Sequence, residues 1–237
     1  MKICISILAE NSRSALRQMK TAQALADMVE LRIDRMDGSD LNRLLQIKSV
    51  PVIVTNRIRR EGGFFTGTEA ERLSALKQAV SLGADIIDLE LQSGRKAISE
   101  LASHIRETGG KTKLMLSFHD FNGTPSDRFL KSKMYACSRL GADIIKIVTF
   151  AKKIEDNLIP LKLISAAKGE GLELVSFCMG DLGRISRVAA PLFGAPFTFA
   201  SLKQGAESAP GQIAADDFKK LFSVLAPNCV ESRGQGK

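Results

Sequence analysis

The stretch TEAERLSALKQAVSLGADIIDLEL, residues 68–91, contains the change of period that decides the fold. Thr68 followed by Glu71 has the spacing of a helix capping box. Apolar residues then recur at Leu73, Leu76, Ala79 and Val80, one face of a helix, until Gly83 supplies the stop. From Ala84 the pattern becomes a short aliphatic run, ADIIDLEL, in which the charged Asp88 and Glu90 share one parity. A helix therefore feeds a buried strand across a turn of a few residues, which is half of a β/α repeat.

The same alternation extends in both directions. Short β-branched or aliphatic runs begin at Lys2, Met28, Pro51, Ala84, Thr112, Ala142, Leu172 and Pro196, eight in all, with segments of helical period between them. One such segment, TPSDRFLKSKMYACSRLG from Thr124, carries Pro125 early and ends at Gly141. An internal echo supports a repeating unit. LGADIIDLEL at Leu82 returns as LGADIIKIVT at Leu140, 58 residues later, as two strand–helix units of about 29 residues would give. The chain of 237 residues fits a single eight-fold barrel of roughly 250 residues. The expectation is one (β/α)8 TIM barrel over residues 1–230, with ESRGQGK at 231–237 a disordered tail. An open doubly wound sheet is the alternative.

Composition narrows the function. The net charge is +8 and the pI about 9.4, which suits either nucleic acid or an anionic small substrate. Nucleic-acid platforms add aromatic stacking groups to the charge. Here there is one Tyr and no Trp, and the basic residues are spread among Glu and Asp, so a nucleic-acid partner is not expected. Cys4, Cys137, Cys178 and Cys229 show no zinc-type spacing, and with two histidines a metal site is not expected. No run reaches the ~18 apolar residues of a membrane helix. Scattered thiols and an N-terminus without a long apolar leader segment point to a cytoplasmic protein.

Barrel strands send alternate residues into the lumen, with catalytic groups near their C-terminal ends. Polar residues of one parity occur there at Ser6, at Glu30, Arg32 and Asp34, at Thr55 and Arg57, at Asp88 and Glu90, and at Ser117 and His119. Lys146 stands alone among Ile144, Ile145, Ile147 and Val148. Taken singly, each has a structural reading: Glu30 with Arg32 as an ion pair filling the barrel, His119 as a turn cap, Lys146 reaching past the rim. As a set they are costly in a low-dielectric lumen unless they form a network around a ligand. A lysine desolvated among aliphatics, with cations such as Arg32 nearby, is a candidate amine nucleophile. With one imidazole and a supporting carboxylate it suits imine chemistry on a carbonyl, and Arg57 and Arg187 suit a carboxylate on the same substrate. His104, inside the helical stretch SELASHIRETGG, is read as a surface residue. No G-x-S-x-G elbow is present, and REGG at 60–63 does not make a P-loop.

Over nearly its whole length the chain resembles the type I 3-dehydroquinate dehydratase family. The matching strings are ELRID at Glu30, TNRIRREGG at Thr55, IDLEL at Ile87, SFHDF at Ser117, GADIIKI at Gly141, MGDLGRISR at Met179 and SAPGQ at Ser208. The resemblance implies that Lys146 forms the imine, that His119 is the general acid/base, and that Glu90 orients the imidazole. It implies substrate binding by Ser6, Glu30, Arg32, Arg57, Arg187, Ser208 and Gln212, with Met179 and Phe199 lining the pocket. It also implies a SAPGQ loop that closes over substrate, no metal or organic cofactor, and a homodimer. Ile145 departs from the pattern, since many members carry Pro before the lysine. Another imine-forming lyase such as an aldolase, or a basic binding protein on the same scaffold, stands as the rival reading.

Overall fold

A computed structural model describes residues 1–36 and 40–226 of the chain. The expected tail at 231–237 lies outside the described residues. Strands and helices alternate as β1 (Ile3–Ile7), α1 (Ser12–Leu25), β2 (Met28–Arg32), α2 (Leu41–Gln46), β3 (Val52–Thr55), α3 (Glu69–Ser81), β4 (Ile86–Glu90), α4 (Gly94–Glu107), β5 (Lys113–His119), α5 (Asp127–Arg139), β6 (Ile144–Phe150), α6 (Leu158–Gly169), β7 (Leu174–Met179), α7 (Arg184–Phe193), β8 (Thr198–Ala200) and α8 (Ala215–Leu225). The strands are parallel and run in the order β7-β6-β5-β4-β3-β2-β1-β8. Because β1 pairs with both β2 and β8, the sheet curls into a nearly closed (β/α)8 barrel, not the open sheet. At the last seam, between β7 and β8, Phe177 and Phe199 meet edge to face with ring centroids 6.2 Å apart.

The repeat seen in the sequence has a physical cause. Gly83 and Gly141 end their helices at φ +84° and +82°, a backbone that residues with a Cβ rarely adopt. Two residues on, Asp85 accepts the Val52 N–H at 2.8 Å and Asp143 accepts the Leu114 N–H at 2.7 Å. Asp27, one residue before β2, treats the Ile3 N–H in the same way at 2.8 Å. An aspartate just before each of β2, β4 and β6 thus ties down the start of the strand before it. The matching position before β8 holds Phe197, at the one seam without a described strand ladder.

The capping box of α3 is present, with Glu71 N–H donating to Thr68 Oγ1 at 3.3 Å and Thr68 N–H to the Glu71 carboxylate at 2.7 Å. The helix after Thr124 begins later than the proline suggests. Ser126 is its N-cap, accepting from the Phe129 N–H, so Pro125 lies outside the helix and not in its first turn. The run MVELRID also ends as a strand at Arg32, and Ile33–Arg35 form a 3-10 turn.

Two layers fill the lumen. Cys4, Met28, Ile53, Ile86, Met115, Ile144, Val175 and Phe197 belong to an apolar cluster distinct from the larger one between strands and helices. Two residues further along each strand, toward its C-terminal end, stand Ser6, Glu30, Thr55, Asp88, Ser117, Lys146, Phe177 and Phe199, all buried. The period of two thus converts an oily floor into a polar layer in one step. Asp143→Ala, which removes the acceptor for the Leu114 N–H, should cost about 1–3 kcal/mol of stability. Urea unfolding of the variant beside wild type checks this.

Candidate active site

The polar layer is the base of a pocket at the C-terminal ends of the strands, lined by Ser6, Glu30, Arg32, Arg57, Glu61, His119, Phe121, Lys146, Met179, Arg187, Phe199, Ser208 and Gln212 among others. Nine of the ten expected catalytic and substrate-binding residues line this one pocket. The tenth, Glu90, does not, although β5, the strand beside it, brings His119 to the site.

Lys146 is held in the middle of the layer. Its Nζ donates to Asp88 Oδ2 at 3.2 Å and Glu30 Oε1 at 3.4 Å, and sits 4.2 Å from the centroid of the Phe199 ring. The charges paired with the amine are therefore carboxylates, not the cations expected around it. Arg32 turns instead to Asp34, which it grips through two bonds of 2.8 Å. Glu30 also accepts from the Ser6 hydroxyl at 2.5 Å and from Thr55 Oγ1 at 2.9 Å. Against the upward push of burial, Lys146 and Arg32 hold the Glu30 carboxyl below the usual range. Against the same push, Arg57 and Lys146 hold Asp88 well below it. Ile145 bears on the lysine's placement: its N–H donates to the Glu173 carbonyl at 2.8 Å, a β6–β7 bond that a proline there cannot make.

His119 ends β5, and its Nδ1 lies 3.0 Å from Glu61 Oε2. The expectation that Glu90 orients the imidazole is therefore corrected: Glu61 makes that contact. Glu90 is drawn the other way, to Arg72 on α3, to Arg57 at 3.0 Å and to the Ile58 N–H at 3.3 Å. Sequence parity finds strand residues that face the lumen, whereas Glu61 sits in the 3-10 turn Arg59–Glu61 after β3. Its signal was an acidic residue in a strand-to-helix connection at the catalytic end of a barrel, within the REGG string. Burial, only partly offset by Arg57, pushes the Glu61 carboxyl up to about 7. Burial, with Arg57 and Lys146 adding to it, pushes the His119 imidazole well below its ordinary value. At neutral pH His119 is thus a neutral ring whose second nitrogen is available to take a proton.

Arg57 reaches Ser117 Oγ at 2.7 Å and is paired with Asp88 and Glu90. Arg187 differs. It is 1% exposed and lies over the Phe177 ring, and its Nη2 donates to the Pro210 carbonyl at 3.0 Å. Its Nε has no hydrogen-bond partner among the described residues. Burial without a paired carboxylate pushes it down to about 9. A guanidinium in this condition is built for an anion that arrives with the ligand.

The segment Ser208–Gln212 covers that side. Ser208 N–H donates to Gln212 Oε1 at 2.7 Å, and Gln212 Nε2 returns to Ser208 Oγ at 3.0 Å. Gly180 N–H donates to the Pro210 carbonyl at 3.2 Å. Gly211 has φ +75°, and a Cβ there would stand 2.2 Å from the Gly180 oxygen, so the docked loop requires glycine. His104 lies away from the pocket, with its Nε2 3.1 Å from both Ser81 Oγ and the Lys77 carbonyl.

Among the described residues, no helix is long and apolar enough to cross a membrane. The sequence profile of the type I 3-dehydroquinase family matches residues 3–228. The chain is similar to the 3-dehydroquinate dehydratase of Methanococcus maripaludis, at 35% identity over 223 residues, covering 94% of this chain and 98% of that protein. It is also 35% identical to the 3-dehydroquinate dehydratase of Methanothermobacter thermautotrophicus over 230 residues, covering 95% of this chain and 98% of the relative. The crystal structure of 3-dehydroquinate dehydratase from Geobacillus kaustophilus superposes with a TM-score of 0.88 at 32% identity, over 96% of this chain and 91% of that one. Arg187→Met should raise the stability of the ligand-free protein by about 1 kcal/mol or more, since an unmatched buried charge is removed. It should also abolish binding of small carboxylates, and thermal melts with and without substrate read both effects.

Proposed function

The chain belongs to the type I 3-dehydroquinase family and is an enzyme that dehydrates 3-dehydroquinate in the shikimate pathway; we propose that it does so through an imine on Lys146, with His119 moving the protons. The observation that carries this is the convergence on a single pocket of one buried lysine, one imidazole and one arginine that has no carboxylate partner among the described residues.

In this reading Arg187 takes the substrate carboxylate, and the Ser208–Gln212 segment closes behind it. Lys146 first passes a proton to His119, the freed Nζ amine attacks the C3 ketone, and the oxygen leaves as water with the proton that His119 returns, giving a protonated imine. Glu30 and Asp88 are placed to balance the positive charge, which stays at the same nitrogen from ammonium to iminium. The iminium withdraws electrons from C2, and His119 removes a C2 proton to form the enamine. The enamine pair expels the C1 hydroxyl, which leaves as water with the proton that His119 carries. A second water then hydrolyses the protonated imine, releasing 3-dehydroshikimate and returning Lys146 as its ammonium. Glu61, against Nδ1, fixes which ring nitrogen faces substrate and supports the imidazolium between the two transfers.

The homodimer implied by resemblance belongs to this proposal as well. The groove between α7 and α8, lined by Ile185, Val188, Leu192, Leu221 and Leu225, is the apolar surface we assign to it. Sedimentation should show a dimer that Leu221→Asp weakens.

Incubation with 3-dehydroquinate and borohydride, followed by intact and peptide masses, should place a reduced adduct on the peptide carrying Lys146. An unmodified Lys146 in turning-over enzyme removes the covalent route. Lys146→Ala and His119→Ala should each lower turnover by about 10²–10⁴-fold or more. The pH dependence follows from the Glu61–His119 pair. Raising pH through about 7 ionises Glu61, which makes the neutral His119 the stronger base, so kcat/KM should rise through an apparent pKa near that value. The pKa belongs to the pair rather than to either group, and Glu61→Gln should remove that limb.

A further inference from the structure

Arg72 is the largest side chain in the protein's interior that the reaction, as derived above, does not use. It sits on α3 with no exposed surface. Its five N–H groups make five hydrogen bonds. Nε and Nη2 hold Glu69 at 2.9 and 2.7 Å, Nη2 also meets Ser93 Oγ, and Nη1 reaches Glu90 and, at 3.3 Å, the Asn56 carbonyl. Glu90 in turn accepts the Ile58 N–H and pairs with Arg57. The three consecutive residues Asn56, Arg57 and Ile58 are therefore each gripped, by carbonyl, side chain and amide respectively, from one buried ion pair.

We infer that Arg72 is a positioning residue for the dehydration: through Glu90 it sets the path of the chain leaving β3, and so places Arg57 and Glu61 against the reacting groups. The path continues from Ile58 into the 3-10 turn Arg59–Glu61, closed by Gly63 N–H donating to the Ile58 carbonyl at 3.0 Å. That turn delivers Glu61 to His119. A buried ion pair is seldom a net source of stability, because apolar residues of similar size do as well or better. What a fully bonded guanidinium supplies is direction, since its planar fork fixes several acceptors at once. Lysine keeps the charge but, as a compact ammonium with three donors, does not span Glu69, Glu90, Ser93 and the Asn56 carbonyl together.

This inference rests on the reading of His119 as proton carrier with Glu61 behind it. Its test compares Arg72→Lys and Glu90→Gln with wild type, using 3-dehydroquinate, across pH. Both variants should lose about 10–100-fold in kcat, the scale of a displaced catalytic group, with a smaller change in KM. Both should still yield the borohydride-reduced adduct on Lys146. In Glu90→Gln the acid limb of kcat/KM should also move to lower pH, because the charge of Glu90 raises the proton affinity of Glu61. Wild-type kcat and an unmoved acid limb in the folded variants would overturn the inference, whatever happens to their melting temperatures. If Arg72→Lys does not fold, Glu90→Gln carries the same comparison alone. A failure of the underlying reading looks different: wild type itself gives no adduct, or His119→Ala keeps full turnover.

Discussion

Asp88 stands between Arg57 and Lys146, bonded to both, at the centre of a layer where ions are taken wholly out of water. Removing an ion from water costs several kcal/mol even after relaxation, so each buried charge needs an opposite one within reach. The lattice that results runs from Lys146 through Asp88 and Arg57 to Glu90, Arg72 and Glu69, with Glu30 closing it on the other side of the lysine. Each member holds its neighbour's rotamer. Arg187 lies outside this lattice. Its guanidinium has an aromatic face and one backbone carbonyl, and in the proposed reading its charge is met by the substrate carboxylate.

On the proposed imine route, that division keeps the lysine in place and still lets it react. Glu30, Asp88 and the Phe199 ring attract a positive nitrogen, and the iminium is also positive at that nitrogen. On that route the site suits the intermediate as much as the resting lysine, so little reorganisation accompanies the bond change. In the same reading proton transfer is handled apart from it, on β5 and the turn after β3, where burial raises the Glu61 carboxyl to about 7 and keeps the His119 imidazole neutral.

The barrel was legible because its signals are local. A capping box, an apolar helical face and a helix-ending glycine each act within a few residues, and the glycine, with the aspartate two residues after it, produced the visible echo at Leu82 and Leu140, although each aspartate's bond reaches back to the preceding strand. The lumen layer was legible for the same reason, since a period of two needs no knowledge of the partner strand. Parity states which way a side chain faces, however, and not which neighbour claims it. Glu90 had the right parity to meet His119, but two arginines, one from a different helix, hold its carboxylate. Glu61 belonged to no strand, so a rule built on strand period passed over it.

Ile145 shows the same limit from the opposite side. Against the proline common in the family pattern, an isoleucine reads as a lost backbone restraint. Its N–H, however, donates to the Glu173 carbonyl at 2.8 Å and joins the ladder between β6 and β7. Proline would fix φ but remove that donor, so the two residues restrain the same backbone by different means, one through its own ring and one through the neighbouring chain. The next residue is Lys146, paired in register with Ser117 on one side and Val175 on the other. A lysine whose strand is bonded on both sides needs no proline to aim it. The constraint that a single position seems to lose is carried by the sheet.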